Sequence, residues 1–335
     1  MKYVYVLTSS EKDYFYEQCL ISVVSLKKYH PDSEIVILAD DITTSGLKGF
    51  RSGIKEYALI KEVQCDTAHN QKVRSRLLKT SVRHLVKGDF LYIDLDTVIA
   101  GSLEGIERCL ENMTESIGMV LDKHVETDNH YMYMYMYMYM NAKKMGYRVA
   151  HRNKHFNSGV MYVKDTSEAY DFFKLWNELY LECCRNGIDT DQTALNEANC
   201  RMGGVIKEID GKWNVQVNTG LKYINEAKIL HYLGYQPFNA QNIYFNTLPF
   251  ILCDGNLLLK VKREGMISKE IFEIIDNPKR AFKMVMIIPE DCVAYKLLFS
   301  QHMRVLKFIY VRMHGIYDGM ERFYSFLFRK IFGRV

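Results

Sequence analysis

The sequence predicts an α/β fold in which helices flank an open, mixed but mostly parallel sheet. Over the first hundred residues, short apolar or alternating segments, which are typical of strands, alternate with longer amphipathic segments, which are typical of helices. The chain of 335 residues is 48% hydrophobic and 25% charged, a composition that can fill the core of a large domain. Ligands of such a sheet bind beyond the carboxyl ends of its strands.

The first predicted elements are a strand, a helix and a second strand. KYVYVLTSS alternates Tyr and Val and ends in small hydroxyl residues, and YFYEQCLISVVSLKKY spaces its apolar residues at helical intervals. His30, Pro31 and Asp32 end this helix, and EIVILAD predicts a buried strand. The next predicted elements are a polar helix, the strand YALIKEV, the amphipathic helix RSRLLKTSVRHLV and the extended segment DFLYIDLDTVI.

The regular pattern stops between Asp122 and Phe156, where Tyr131 to Met140 is five consecutive Tyr-Met pairs. An alternation of two apolar residue types fits a strand, a helix or an exposed loop equally well. A tandem dipeptide is also what repeat expansion in a gene leaves behind, and we interpret it in that way. Regular structure resumes with the strand HFNSGVMYVKD, the helix EAYDFFKLWNELYLECC, the helix start DTDQTALN and strand-like segments that end with KILHYLG.

Beyond Pro249 the sequence becomes apolar, aromatic and basic, which predicts a domain boundary near Asn246. We expect a catalytic domain over residues 1–246 and a helical extension over residues 247–335. Residues 296–335 contain eight basic and two acidic residues. This excess predicts contact with an anionic membrane surface, and a helical subdomain packed on the main sheet is the alternative.

Composition also limits the function and the location of the protein. A formal net charge of +4 is small for this length and argues against nucleic-acid binding. The amino terminus enters a predicted strand without the apolar stretch of a signal peptide, and no segment has the length of a membrane span. Eight scattered cysteines without a CxxC pair predict reduced thiols. We therefore expect a cytoplasmic protein that lies peripherally on the inner face of the cell membrane.

Two carboxylates at the end of a predicted strand are the first candidate site. In FLYIDLDTVI, period-two alternation places Asp94 and Asp96 on one face and Leu95 on the other. Two such carboxylates can hold a hard divalent cation, which can in turn bind the phosphate oxygens of a nucleotide. Apolar residues flank the pair on both sides, so these charges need a partner or a metal ion.

Three further segments carry polar residues with both a functional and a structural interpretation. FNSGV combines Asn157 with Gly159, which permits close approach of a ligand, or it is an ordinary turn. DTDQTALN places Asp191 and Gln192 at a helix start, where helix capping by neighbouring Thr190 or Asp189 could explain the carboxylates. In HYLG, the histidine at position 231 is a ligand or a core residue.

Taken together, the ordered motifs RSRLLK, YIDLDTVI, FNSGV, DQTALN, WN and HYLG resemble those of the retaining glycosyltransferases of family 8. This group includes glycogenin and bacterial lipopolysaccharide galactosyl- and glucosyltransferases. The resemblance extends from about Tyr3 to Pro237 and implies a GT-A type of α/β fold. It also implies a nucleotide diphosphate sugar donor, expected to be a UDP-sugar, and Mn²⁺ or Mg²⁺ as the metal.

The resemblance also assigns roles to individual residues. Asp94, Asp96 and His231 would ligate the metal, and Asp94 would also belong to the donor site. Thr8 would lie against the nucleotide base, while Arg76 and Asn157 would contact the donor diphosphate or sugar. Asp191 and Gln192 would be the catalytic residues that line the pocket around the transferred sugar.

Two segments depart from the family pattern. After the His-x-x-Gly segment the family usually has a lysine that reaches the diphosphate, whereas here YQPFNAQN has no basic residue. The amino-terminal donor segment is TSSEKD where the family often has an Asp-rich loop. The predicted function is transfer of a hexose to a saccharide or a lipid-linked saccharide. The alternatives are an inverting glycosyltransferase, a nucleotidyltransferase and a membrane-associated binding protein without turnover.

Overall fold

The computed structural model describes residues 1–111, 114–124, 136–148, 154–217, 223–232, 255–265 and 267–279, together with the single residues 319 and 323. The chain divides into two compact units, residues 1–287 and residues 288–335. Every element described below belongs to the first unit. The boundary predicted near Asn246 lies outside the described residues, as does nearly all of the basic tail, so both predictions stay predictions.

The described strands of the first unit form two sheets. The strands are β1 (Lys2–Leu7), β2 (Ile35–Asp40), β3 (Leu59–Val63), β4 (Phe90–Ile93), β5 (Thr97–Ile99), β6 (Ile117–Leu121), β7 (Phe156–Val163), β8 (Ile206–Glu208), β9 (Val215–Gln216) and β10 (Ile229–His231). The main sheet has the order β3-β2-β1-β4-β7-β6-β8, and the small sheet has the order β5-β10-β9. In the main sheet, β7 is antiparallel to β4 and β6, and the other neighbours are parallel.

Helices connect most of these strands. They are α1 (Phe15–Tyr29), α2 (Asp41–Gly46), α3 (Gln71–Thr80), α4 (Val82–Leu85), α5 (Met136–Lys144), α6 (Ser167–Arg185), α7 (Gln192–Arg201), α8 (Gly255–Glu264) and α9 (Lys269–Asp276). Short 3₁₀ segments cover Gly49–Glu56, Glu107–Leu110, Asp122–His124 and Gly211–Trp213. The predicted alternation of strands and helices over the first hundred residues is confirmed.

The main sheet lies between two apolar layers. On β1, Tyr3, Tyr5 and Leu7 pack in the layer that contains α1, α8 and α9, whereas Val4 and Val6 pack in the layer that contains α3, α6 and α7. Successive side chains of a strand point to opposite faces, so one strand supplies both layers. A strand that is buried on both faces reads as a nearly continuous apolar run, as the sequence of β1 does.

The small sheet packs on α1 and brings distant parts of the chain together. The Ser22 and Thr97 hydroxyls lie 2.8 Å apart, and the Ile99 amide donates to the Ser25 hydroxyl at 2.9 Å. These polar contacts are buried, where an unpaired hydroxyl or amide would be costly. In the antiparallel pair of β10 and β5, His231 lies opposite Thr97. The register therefore places His231 beside the DLD segment.

The extended segment DFLYIDLDTVI is not one strand, and this prediction was wrong. β4 ends at Ile93 in the main sheet, and β5 begins at Thr97 in the small sheet. Asp94 to Asp96 is the turn between them. The two carboxylates converge because the backbone turns there, and period-two alternation on a strand is not the cause.

Three other segments differ in detail from the prediction. The amphipathic helix RSRLLKTSVRHLV divides at Ser81 into α3 and α4. The second half of the Tyr-Met repeat, residues 136–140, lies in α5, and the first half is outside the described residues. Helices α8 and α9 follow the predicted boundary in sequence yet contribute Leu258, Val261 and Ile271 to the core of the first unit.

Two further features of the described residues concern membrane crossing and the cysteines. Among the described residues, no helix combines the length and the apolar character that a membrane crossing requires. The six cysteines in the described ranges have free thiols, and the adjacent Cys183 and Cys184 are not joined.

Candidate active site

A cavity of about 380 Å³ lies at the carboxyl end of the parallel strands. β1 leads to Thr8 and β4 leads to Asp94, as expected for a sheet whose ligands bind at this edge. Helix α3 contributes one wall of the cavity and α1 contributes Phe15, which is 39% exposed. The polar, charged and aromatic residues of its lining include Thr8, Phe15, Gln71, Lys72, Arg76, Tyr92, Asp94 and Asp96.

A second and larger cavity, of about 980 Å³, lies at the opposite edge against the start of β1 and β4. Its lining contains five carboxylates, from Asp32, Glu34, Asp89, Glu104 and Glu107. Such a lining repels the phosphates of a nucleotide. The cavity at the carboxyl edge is therefore the candidate active site.

Backbone hydrogen bonds fix the turn that carries the two aspartates. The Asp94 amide donates to the Gly159 carbonyl at 2.8 Å, and the Tyr232 amide donates to the Asp96 carbonyl at 2.9 Å. The Thr97 hydroxyl donates to the Asp94 carbonyl at 2.8 Å. The turn is thus held by Gly159 of β7, by Tyr232, which follows β10, and by Thr97, the first residue of β5. This arrangement presents both carboxylates at the cavity.

Asp94, Asp96 and His231 form a cluster of potential metal ligands. Each side chain offers one ligand atom, and the three atoms lie within 4.8 Å of one another. Nε2 of His231 lies 3.2 Å from Oδ1 of Asp96. Burial would raise the pKa of the Asp96 carboxyl, but the charge and hydrogen bond of the His231 imidazole lower it to about 2. Two oxygens and one imidazole nitrogen are a donor set that suits Mn²⁺ and similar divalent ions.

A chain of side-chain amides fixes the tautomer of His231. The Gly159 amide donates to Oδ1 of Asn157 at 3.0 Å, so this atom is an acceptor, and Nδ2 of Asn214 donates to it at 2.9 Å. Oδ1 of Asn214 therefore faces Nδ1 of His231, at 2.9 Å, and Nδ1 must carry a proton. Nδ2 of Asn157 donates to Asp122 at 2.9 Å. The lone pair of a neutral His231 is consequently on Nε2, the atom that faces Asp96.

Since Nε2 of His231 and Oδ1 of Asp96 are both electron-rich in that tautomer, their separation of 3.2 Å requires a positive charge between them. A metal ion bound between the two atoms can supply this charge. Metal-binding histidines usually donate their other ring N–H to an oxygen acceptor, as Nδ1 of His231 does to Oδ1 of Asn214. The residues present therefore fit a divalent cation.

Gly159 makes room for His231. A Cβ atom at this position would lie 2.1 Å from Cε1 and 2.6 Å from Nδ1 of His231, and 2.9 Å from Oδ1 of Asn157. These distances are far below van der Waals contact. The sequence predicted close approach of a ligand at Gly159, whereas in the structure the imidazole ring of His231 makes this approach.

Lys79 places a positive charge inside the same cluster. Its ammonium nitrogen lies 3.0 Å from both carboxylate oxygens of Asp94. The Tyr92 hydroxyl donates to Oδ1 of Asp94 at 2.6 Å. Burial and the charge of Asp94 raise the pKa of Tyr92 well above its usual value, so this hydroxyl stays a donor. Asp94 is therefore held by two donors from the main sheet and from α3.

Arg76 and Asp191 form a second ion pair in the site, at 3.4 Å from Nε to Oδ1. Burial would raise the pKa of Asp191, but the positive charges of Arg76 and Lys79 lower it. Asp191 occupies the residue before α7 without capping it, so helix capping does not explain this carboxylate. Gln192 donates its amide to the Phe156 carbonyl.

The structure brings most of the predicted site residues to one place. Asp94, Asp96 and His231 converge, and the cavity that Asp94 and Asp96 line also contains Thr8 and Arg76. Asn157 lies two steps behind His231 in the amide chain, beyond Asn214, and Gln192 is bonded to a β7 carbonyl. Their predicted roles toward the donor and the sugar stay predictions.

Three residues of the site were missed by the sequence argument. Lys79 has a recognisable signal, because it follows Arg76 by three residues and therefore lies on the same helix face. Asn214 belongs to the motif WN, but nothing in the sequence connects it to His231. Phe15 belongs to a helix most of whose aromatic and apolar residues are buried, and only its exposure at the cavity distinguishes it.

Comparison with known proteins identifies the family. The family model described as glycosyl transferase family 8 matches residues 6–239. The protein is a glycosyltransferase that uses a nucleotide-sugar donor, and the chain belongs to glycosyltransferase family 8. The predicted GT-A type of α/β fold is confirmed, and the nucleotidyltransferase alternative is wrong. No curated protein sequence matches the chain.

Several solved structures are similar to this chain at low identity. The galactosyltransferase LgtC, solved with donor and acceptor sugar analogues, is 15% identical with a TM-score of 0.48, over 82% of this chain and 99% of that one. Mouse xyloside xylosyltransferase 1 in its apo form is 12% identical with a TM-score of 0.46, over 70% and 98%. GlyE of Streptococcus pneumoniae TIGR4 is 15% identical with a TM-score of 0.44, over 86% and 65%.

Proposed function

We propose that this glycosyltransferase moves a hexose from a UDP-sugar to a saccharide or lipid-linked saccharide acceptor, with retention of the anomeric configuration. Mn²⁺ or Mg²⁺ would be held by Asp94, Asp96 and His231. The observation that carries the proposal is the convergence of these three ligand atoms at a cavity that also contains Arg76. Retention follows from the family resemblance.

Departure of a nucleoside diphosphate from the sugar needs stabilisation of negative charge. A metal ion bound here would act as a Lewis acid on the diphosphate oxygens. The chain itself contributes Arg76, whose guanidinium can donate to a phosphate from the wall of the cavity. Because the site is partly closed to water, these charges interact more strongly than they would in solution.

Asp191 is suited to bind a substrate hydroxyl. One oxygen is paired with Arg76, and within the described part of the chain the other oxygen, Oδ2, is buried without a hydrogen-bond donor. An unsatisfied buried acceptor is costly, and a sugar hydroxyl would supply the missing donor. Asp191 is connected to the cavity through its ion pair with Arg76, and its place at the transferred sugar stays a prediction.

The proposal is tested with a thermal-shift screen of nucleotide sugars in the presence of Mn²⁺ and in the presence of a chelator. A ligand that binds the folded state raises the melting temperature. We expect a UDP-sugar to produce the largest shift, and only with Mn²⁺. Shifts that are independent of metal would contradict the metal site. A β-linked product from an α-linked donor, detected by proton NMR of the anomeric signal, would contradict retention.

The ring of Phe15 is placed to stack on the nucleotide base, because it is exposed at the cavity that Thr8 also lines. Stacking of a base on an aromatic side chain contributes about 1–3 kcal/mol. Phe15→Ala is therefore expected to weaken UDP binding about tenfold or more, whereas Phe15→Tyr keeps it. Calorimetric titration with UDP measures the effect. Phe272→Ala is the control, because Phe272 is 45% exposed on α9 and does not line the cavity.

Asn214 is expected to support metal binding without touching the metal. Asn214→Ala leaves the Nδ1 proton of His231 without its acceptor, so the ring loses its fixed orientation. Loss of such a partner typically weakens metal binding about 10–100-fold. Titration with Mn²⁺ measures this change. Asn199→Ala is the control, because Asn199 accepts from the Ile206 amide and not from a ligand. Equal Mn²⁺ affinity of Asn214→Ala and wild type would contradict the prediction.

A further inference from the structure

Lys79 is a buried cation within the group of side chains that would hold a metal ion. It lies in the last turn of α3, where a positive charge is favourable, and it is 2% exposed. Its ammonium nitrogen lies 3.0 Å from both oxygens of Asp94 and 5.1 Å from the centre of the Tyr92 ring. Asp94 is thus already neutralised by a neighbour on the protein.

The hydrogen bonds of Asp94 leave little room for a further ligand. A carboxylate has about four lone-pair positions. Lys79 contacts both oxygens of Asp94, and the Tyr92 hydroxyl donates to Oδ1 as well. A divalent cation must therefore share Asp94 with the ammonium or displace the ammonium from it.

Either arrangement disfavours binding of the metal alone. If Lys79 stays in place, its charge repels the incoming cation. Asp96 is then the carboxylate that attracts the cation, because it is the only carboxylate of the described ligand cluster without a lysine partner. If Lys79 is displaced from Asp94, a buried ammonium loses its carboxylate partner, which is strongly unfavourable. A nucleoside diphosphate removes both obstacles, because its oxygens bring negative charge for the metal and for the lysine.

We propose that Lys79 is the resident counter-ion of Asp94 in the donor-free protein and moves to the donor diphosphate when metal and donor bind together. This inference rests on the proposed function, because it needs a diphosphate at the site. Lys79 then makes the protein bind the metal–nucleotide complex in preference to the free metal. It would be a donor-binding residue that also controls metal entry.

The test compares Lys79→Met and Lys79→Gln, which remove the charge, with Lys79→Arg, which keeps it. Free and bound Mn²⁺ are measured by electron paramagnetic resonance, first without nucleotide and then with UDP. Without nucleotide, the Met and Gln variants are expected to bind Mn²⁺ about tenfold or more tightly than wild type, because one nearby positive charge is gone. UDP should raise their Mn²⁺ affinity less than it raises that of wild type.

Two controls accompany these variants. Lys79→Arg should behave like wild type in both titrations. Lys2→Met removes a positive charge at the opposite edge of the sheet, where Lys2 donates to the Lys87 carbonyl, and should not change Mn²⁺ binding. Near-ultraviolet circular dichroism and the melting temperature show whether each variant is folded.

The outcomes separate this inference from the proposed function. If the Met and Gln variants bind Mn²⁺ no more tightly than wild type, while UDP still raises the affinity of wild type, Lys79 is only a structural ion pair and the inference is overturned. If UDP does not change the Mn²⁺ affinity of wild type, the inference and the proposed function fail together. A wild-type Mn²⁺ affinity that UDP does not change would overturn the inference even if both neutral variants failed to fold.

Discussion

Asp96→Asn is expected to abolish Mn²⁺-dependent donor binding and to lower turnover by about a thousandfold or more, because a metal that stabilises the leaving group is worth several kcal/mol. Asp96 is the carboxylate of the cluster that faces the His231 imidazole and has no lysine partner among the described contacts. Asparagine keeps the shape of the side chain but removes its charge. The fold should remain intact, since the backbone of the turn is held by the Asp94 and Tyr232 amides.

Titration calorimetry of UDP with and without Mn²⁺, together with product formation from a UDP-sugar, measures these effects. Asp89→Asn is the matched control, because Asp89 precedes β4 at the opposite edge and accepts from the Tyr162 hydroxyl at 3.1 Å and the Asp165 amide at 2.8 Å. It should leave donor binding unchanged. If Asp96→Asn kept full Mn²⁺-dependent binding, the assignment of the metal site would be wrong.

Gly159→Ala is expected to destabilise the protein and to impair metal binding at the same time. The added methyl group would lie 2.1 Å from the His231 ring. The ring cannot move away easily, because its two nitrogens contact Asn214 and Asp96. Such overpacking typically costs about 1–3 kcal/mol, and a loss of about 2 kcal/mol corresponds to a decrease in melting temperature of roughly 4–8 °C. Relief of the clash requires displacement of His231 from the cluster. Mn²⁺ affinity should therefore fall more than the loss of stability alone explains.

Gly53→Ala is the control for this substitution. Gly53 has no heavy atom within 4 Å of a built Cβ, and its backbone conformation is open to other residues. A glycine of this kind usually tolerates alanine with a stability gain of about 0.4–1 kcal/mol. Differential scanning calorimetry compares the two variants. A melting temperature for Gly159→Ala equal to that of Gly53→Ala would contradict the close packing of His231.

The order of the strands and helices was predictable because each segment carries its own pattern. The alternation in β1 and the helical spacing in α1 are local properties of the sequence. A strand that is buried on both faces of a parallel sheet needs a nearly continuous run of apolar residues, which can be recognised without knowing its neighbours. The break between β4 and β5 was not predictable in this way. The run FLYIDLDTVI contains no glycine or proline that would mark a turn, and its last residues, Thr97–Ile99, pair with the distant strand β10. Long-range pairing leaves no local signal.

The same distinction applies to the site. Asp94 and Asp96 were predictable as a pair from two charges inside an apolar segment. The approach of His231 depends on the register of β10 against β5, and the family resemblance supplied what spacing could not. Lys79 was predictable only as a neighbour of Arg76 on one helix face, because its pairing with Asp94 depends on how α3 packs against β4. Side-chain partners across elements follow from packing, which no single segment encodes.

The hydrogen bonds of the amide chain behind His231 all run in one direction, and this limits which substitutions its residues can accept. Each member donates at one end and accepts at the other, so a replacement that reverses one group leaves two like groups facing each other. Asn157, Asn214 and His231 come from three separate strands or loops, and the donors run from His231 through Asn214 and Asn157 to Asp122. Single changes at these positions should therefore be non-additive when combined. Across relatives, these residues should be inherited as one block or exchanged together.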